Sequence, residues 1–176
     1  MAFVEFLARW FHVLAGVVWI GMLYYFNFVQ GEYFKTAEAA AKADATAKLV
    51  PRALGWFRWG ALVTFLTGLY LLHGVGKSMN TFIVLGALMG FLMFLNVWLV
   101  IWPAQKVVIG RRDGDVAKSA SRALLASRTN TLFSLPMLWG MLGSKNGIYD
   151  PNLLQPVNFS DTGFLTAVGI IAALEI

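Results

Sequence analysis

The sequence predicts an all-α integral membrane fold: a bundle of four transmembrane helices with a fifth short or incomplete one, and amphipathic cytoplasmic helices in the connections. Three observations predict it. The 176 residues are 59% hydrophobic and 13% charged, far from the make-up of an ordinary soluble domain. The apolar residues gather in runs long enough to cross a hydrocarbon core. The basic residues gather in two of the connections between those runs. The chain therefore reads as a single transmembrane domain over 1–176, with spans at about 3–28, 54–73, 82–102, 123–143 and 163–176.

The first span, Phe3 to Phe28, is FVEFLARWFHVLAGVVWIGMLYYFNF. A helix rising ~1.5 Å per residue needs roughly 20 residues to cross, and this run exceeds that. It is too long for a signal-peptide core, and Trp19, Tyr24, Tyr25 and Phe26 stand where a cleavage site would need small residues. The next connection, Gln30 to Arg52, is polar and alanine-rich, and its EYFKTAEAAAKADATAKL stretch predicts a short surface helix. Pro51 suits the entry of the second span, about Leu54 to Leu72, which stops at His73-Gly74-Val75-Gly76. Lys77 to Asn80 is a short turn, making spans two and three antiparallel neighbours.

The third span runs from Phe82 to Trp102 and is expected to end at Pro103. In the second polar connection, Ala104 to Ser127, Asp115 follows a glycine-rich turn and caps a helix that begins amphipathic and turns apolar after Arg128. TNTLFSLPMLWGML supplies the fourth span, with a kink expected at Pro136. Gly143 to Asp161 reads as an irregular outer segment. The last run, Gly163 to Ile176, falls short of a full crossing, so it reads as a fragment or an incomplete helix.

Orientation follows from the charges. Lys35, Lys42, Lys48, Arg52 and Arg58 share a side with Lys106, Arg111, Arg112, Lys118, Arg122 and Arg128, against Arg9, Lys77 and Lys145 towards the other. The positive-inside rule puts both long connections in the cytoplasm and the N-terminus outside. The expected location is the bacterial inner membrane, multi-pass, with the lipid bilayer as first partner. The net charge of +5 is then a loop property and calls for no nucleic acid. The absence of cysteine excludes disulfides, thiolate metal sites, iron–sulfur clusters and covalently attached haem c.

Gly86 and Gly90 form a GxxxG on span three, and Gly16 and Gly21 lie on span one; small residues there allow close helix approach. Asn27, Arg58, Asn96, Arg128 and Asn130 fall near the inner ends of their spans, either as a polar cluster or as helix-end groups reaching for water. The tryptophans, mostly near span ends, read as an aromatic belt.

His12 and His73 are the sharper pair. Counted from the inner side at helical rise, they sit at depths of ~24 and ~28 Å, within one turn of each other. Two readings stand. The imidazoles are axial ligands of a haem iron, with Arg9 holding a propionate and Gly16 and Gly68 making room for the macrocycle. Or His12 bonds within the bundle while His73 sits in the outer interface. No paired carboxylates, Ser-His-Asp set or phosphate-binding glycine loop is visible, so acid–base and nucleophilic catalysis are not assigned.

The stretches RWFHVLAGVVWIGMLYYFNFVQ, VWLVIWPAQK and SRTNTLFSLPMLWGM resemble the membrane domain of the PuuD-type urate oxidase family, the urate oxidase N-terminal family. HVLAGVVWIG is also similar to the haem-associated HemJ and CopD membrane proteins. The resemblance implies a multi-span membrane domain in redox service, joined in full-length members to a C-terminal cytochrome c domain. This sequence departs from it in having no CxxCH and no histidine in GMLGSKNGIY, after span four. The expected function is thus a membrane redox protein binding haem b through His12 and His73, with Arg9 as propionate partner, passing electrons to a separate periplasmic cytochrome c. The alternative is a non-catalytic accessory subunit of a respiratory or photosynthetic membrane complex. In either case other membrane subunits are expected partners.

Overall fold

The computed structural model describes residues 2–146 and 154–175, and the described residues contain helices and no strand. The order is α1 (Ala2–Tyr24), a π-helical turn (Tyr25–Gln30), α2 (Gly31–Thr36), α3 (Ala39–Lys48), α4 (Val50–Val75), a short 3-10 turn (Gly76–Ser78), α5 (Thr81–Leu95), a second π-helical turn (Asn96–Ile101), α6 (Trp102–Val108), α7 (Val116–Asn146) and α8 (Thr162–Leu174).

Local chemistry accounts for most of these boundaries. Pro51 stands in the first turn of α4, where its missing N–H costs no helical bond. Gly76, at φ +55°, ends that helix in a backbone region that side chains disfavour. Asn80 caps α5 by accepting from Ile83 N at 3.1 Å, and Asp115 caps α7 by accepting from Lys118 N at 2.9 Å, as its position predicted. Asp161 caps α8 in the same way, accepting from Phe164 N at 2.9 Å.

Two expected boundaries move. The first helix does not stop near Phe28 but passes through its π turn into α2, making one stretch from Ala2 to Thr36. The third helix is not ended by Pro103. Its π turn shifts the hydrogen-bond register just before the proline, so that Trp102 N–H bonds to Val97 O, and the helix continues to Val108. Widened turns of this kind are where a helix absorbs a residue that its regular ladder would reject. Pro136 lies inside α7, which runs unbroken through it to Asn146. Part of the outer segment expected to be irregular, 147–153, lies outside the described residues. Beyond it, Val157 N bonds to Met79 O at 2.8 Å, tying the approach to α8 onto the start of α5.

The long helices pack as two antiparallel pairs. On α1 and α4, His12 meets Thr64 and Thr67 while Ala15 and Trp19 meet Gly60, so one chain climbs as the other descends. On α5 and α7, Phe82 meets Gly140, Gly86 meets Met137 and Asn96 meets Asn130, in the same opposed sense. Both pairs depend on glycine. A Cβ on Gly60 would stand 3.2 Å from Trp19 N, and one on Gly140 would stand 2.7 Å from Phe82 O. Gly86 is the inner member of its GxxxG, facing the backbone of Met137 and Met141 at 3.2 Å, whereas Gly90 meets only side-chain ends at 3.9 Å and Gly21 meets nothing.

The pairs meet in one core of Trp19, Leu23, Phe57, Met93, Val97 and Phe133, with Ile171 of α8 closing one side. Phe65 of α4 stacks on Phe94 of α5 with ring centroids 4.1 Å apart. Trp19 departs from the expected aromatic belt: it is 2% exposed, because it shares the face of α1 that carries Ala15 and Leu23 against α4. Among the described residues, Ala2–Thr36 and Thr81–Val108 are long and apolar enough to cross a membrane. The α4 helix is long enough at 26 residues, but Arg58, His73 and its glycines dilute its apolar character, and the first half of α7 is polar.

Candidate functional site

His12 projects from α1 into the seam with α4. Its Nδ1 lies 2.9 Å from Thr64 O and 3.1 Å from Thr67 Oγ1. A carbonyl oxygen only accepts, so Nδ1 carries the proton and donates. Thr67 completes the niche: its hydroxyl donates to Val63 O at 2.6 Å, leaving the oxygen turned to the imidazole. The neutral ring is thereby held as one tautomer, with the lone pair on Nε2. An imidazole whose far nitrogen donates to a backbone carbonyl is the arrangement that orients a metal-binding histidine. Gly68 supplies the room: a Cβ there would stand 3.0 Å from His12 Cε1. The space read from sequence as clearance for a macrocycle is occupied by the imidazole itself, and at Gly16 the Thr64 methyl is 3.9 Å from where a Cβ would be.

His73 is exposed near the far end of α4. It lies nine residues beyond Thr64, about two and a half turns at ~3.6 residues per turn, and so on the other side of the helix from His12. The structure does not bring the two imidazoles together. The level of His12 on α4 is marked by Thr64 to Gly68, which sequence counting from the inner ends did not locate, because the register between two helices is set by their packing. Arg9, one turn from His12, is exposed and pairs with Glu5 at 2.6 Å. A pair this open to solvent is weak, and its guanidinium can exchange partners. Among the described residues, no three His, Asp or Glu side chains gather into a metal-binding group.

The inner polar residues do not form one cluster. Asn96, at the start of the second π turn, donates to Asn130 Oδ1 at 2.9 Å, and Asn130 donates to Met93 O at 3.0 Å, all within the core. Asn27 donates to Ser127 Oγ at 2.7 Å and to Leu23 O at 2.9 Å. One turn away, Ser134 donates to Thr131 O at 2.8 Å, so the Tyr24 hydroxyl, 2.8 Å from Ser134 Oγ, is the donor of that contact. These bonds stitch α1 and α5 to α7 and leave no polar lining in common. Arg128 is exposed, and Arg58 lies apart among Trp59, Trp98 and Trp102. The Thr64, Thr67 and Tyr24–Ser134 contacts escaped the sequence reading, since hydroxyl residues in an apolar helix give no spacing signal.

Fold and site together define an all-helical bundle with two membrane-length apolar helices and one histidine anchored in a helix seam. Residues 75–153 match the model of the urate oxidase N-terminal family. The stretches VWLVIWPAQK and SRTNTLFSLPMLWGM lie inside the matched segment, which bears out the resemblance there, and the first-helix stretch with His12 lies before it. The similarity of that first stretch to HemJ and CopD has no counterpart in the comparisons. No curated protein and no solved structure matches the chain.

Proposed function

We propose that this chain is a membrane-embedded redox module of the urate oxidase N-terminal type, holding haem b through His12 and passing electrons to a separate periplasmic cytochrome c. The observation that carries the reading is the His12 niche: Nδ1 committed to Thr64 O at 2.9 Å and Nε2 left with a free lone pair. Haem supplies one-electron chemistry when bound. The residues of this chain contribute a neutral, oriented imidazole from His12 and a cation for a carboxylate from Arg9. In this reading His12 is the one imidazole this chain supplies to the iron, His73 lying on the other side of α4. The membrane setting is supported by the outward face of α1, where Phe3, Phe6, Trp10, Phe11, Val13, Leu14 and Val17 are exposed, a larger apolar surface than water tolerates. In this reading all four long helices cross the bilayer, α8 enters it as a shorter fifth, and the basic connections face the cytoplasm.

The test is the absorption spectrum of the full chain purified from cells supplied with haem. A Soret band is expected, and His12→Ala removes it. His73→Ala is expected to keep the band, and a shifted or lost band would assign His73 as a second ligand. Absence of a Soret band overturns the redox reading and leaves an accessory subunit whose exposed apolar faces dock on other membrane helices.

A further inference from the structure

A second site lies where α4 meets the junction of the second π turn with α6. The guanidinium carbon of Arg58 stands 3.9 Å from the ring centre of Trp102 and 5.3 and 5.4 Å from those of Trp59 and Trp98. Lys106 Nζ is 5.8 Å from the Trp102 ring. Arg111 donates its backbone N–H to Lys106 O at 2.8 Å, which folds the connection back over the end of α6. Two cations thus flank one indole, with the exposed Arg111 on the turn that follows.

The arrangement is short of negative charge and of acceptors. Among the described residues, no carboxylate lies within ion-pair distance of Arg58, Lys106 or Arg111. Arg58 Nε and Trp98 Nε1 are both buried with no hydrogen-bond partner in the protein. Like charges near one another repel, and a buried N–H without an acceptor is costly. A single species meets both deficits: an anion with several acceptor oxygens. Arg58 is half-buried: it lies over the Trp102 ring with Nε covered, while the side chain as a whole keeps access to solvent. Stacking fixes a guanidinium in one orientation with its remaining N–H edge free, a pre-organised donor fork for phosphate oxygens.

We infer that Arg58 and Lys106, arranged around Trp102, form with Arg111 of the adjoining turn a binding site for a phosphate-bearing anion. The source favoured by position is the headgroup of an anionic lipid. The cluster belongs to the basic side of the bundle, which the orientation proposed above turns to the cytoplasmic leaflet, and basic pockets between helices on that side suit such headgroups. The site is independent of His12 and of any haem.

The experiment is a tryptophan-fluorescence titration of the full chain in neutral detergent with short-chain phosphatidylglycerol, phosphatidylcholine and inorganic phosphate. Phosphatidylglycerol is expected to shift the emission and to bind at least about ten-fold tighter than phosphatidylcholine. Lys106→Gln and Arg111→Gln each weaken it by about five-fold, the effect of one basic residue on an anionic surface. Arg58→Lys, which keeps the charge and loses the stack, weakens it further than either. A response to inorganic phosphate alone supports the site and assigns a soluble anion as its source. Equal binding of the two lipids with no response to phosphate overturns the proposal. So does unaltered phosphatidylglycerol binding by the Lys106→Gln/Arg111→Gln double variant, whose side chains lie outside the core and leave folding intact.

Discussion

A Cβ added to Gly68 would stand 3.0 Å from Cε1 of His12, so the imidazole occupies the space that a side chain at 68 would fill. The two residues act as one fitting between α1 and α4. Gly68→Val is expected to push the ring out of the niche, break its bond to Thr64 O and cost about 1–3 kcal/mol of stability, the usual range for overpacking. Thermal unfolding in detergent measures the loss, and the absorption spectrum should match that of His12→Ala. A Gly68→Val protein with wild-type stability and spectrum would show that the fitting carries neither packing nor function.

The buried Asn96–Asn130 pair gives a second expectation. Asn130→Leu strands the Asn96 amide and removes one bond to the Met93 carbonyl, which keeps that from Asn96 N–H, a loss of about 1–3 kcal/mol for a buried group left unpaired. The Asn96→Leu/Asn130→Leu double variant should cost clearly less than the sum of the two single changes, since the stranded partner is gone. A double-mutant cycle reads the difference, and strict additivity would mean the two amides are not coupled.

The α5–α7 seam predicts a contrast between glycines. Gly140→Val places atoms against the Phe82 carbonyl and the backbone of Gly86, none of which can yield as a flexible side chain can. It should abolish a monodisperse peak in size-exclusion chromatography. Gly90→Val meets only the ends of Met137 and Met141 and should leave the peak intact. Equal behaviour of the two variants would contradict the packing.

The proposed orientation is checked with Lys42→Cys and Lys118→Cys in a chain that has no native cysteine. A membrane-impermeant maleimide should leave both unlabelled in intact cells and label both after permeabilisation. Labelling of either from outside reverses the topology.

Much of the helical framework was legible because its signals are local. Pro51, Gly76 and Asp115 act on their own turns, and long apolar runs between polar connections mark helices whatever their neighbours. The extension past Phe28 and past Pro103 was not legible, since a π turn changes hydrogen-bond register without changing composition. Within the candidate site, His12 stood out as an imidazole in an apolar run, but its partners did not, because a backbone carbonyl and one threonine hydroxyl have no signature at a distance.

What the sequence by itself determined is the set of helices, the side on which the basic residues gather, and the identity of the few polar groups within apolar segments. Only the tertiary structure decided which way each helix turns: His12 into α4 and His73 to the exposed side of α4, Trp19 into the core, Gly86 against Gly140, and Arg58 among three tryptophans. The physical reason is that a helix apolar around its whole circumference has no polar stripe to set its rotation. When the surroundings are as apolar as the interior, rotation follows from close fit and from buried hydrogen bonds between particular pairs, and those pairs exist only once the helices have met.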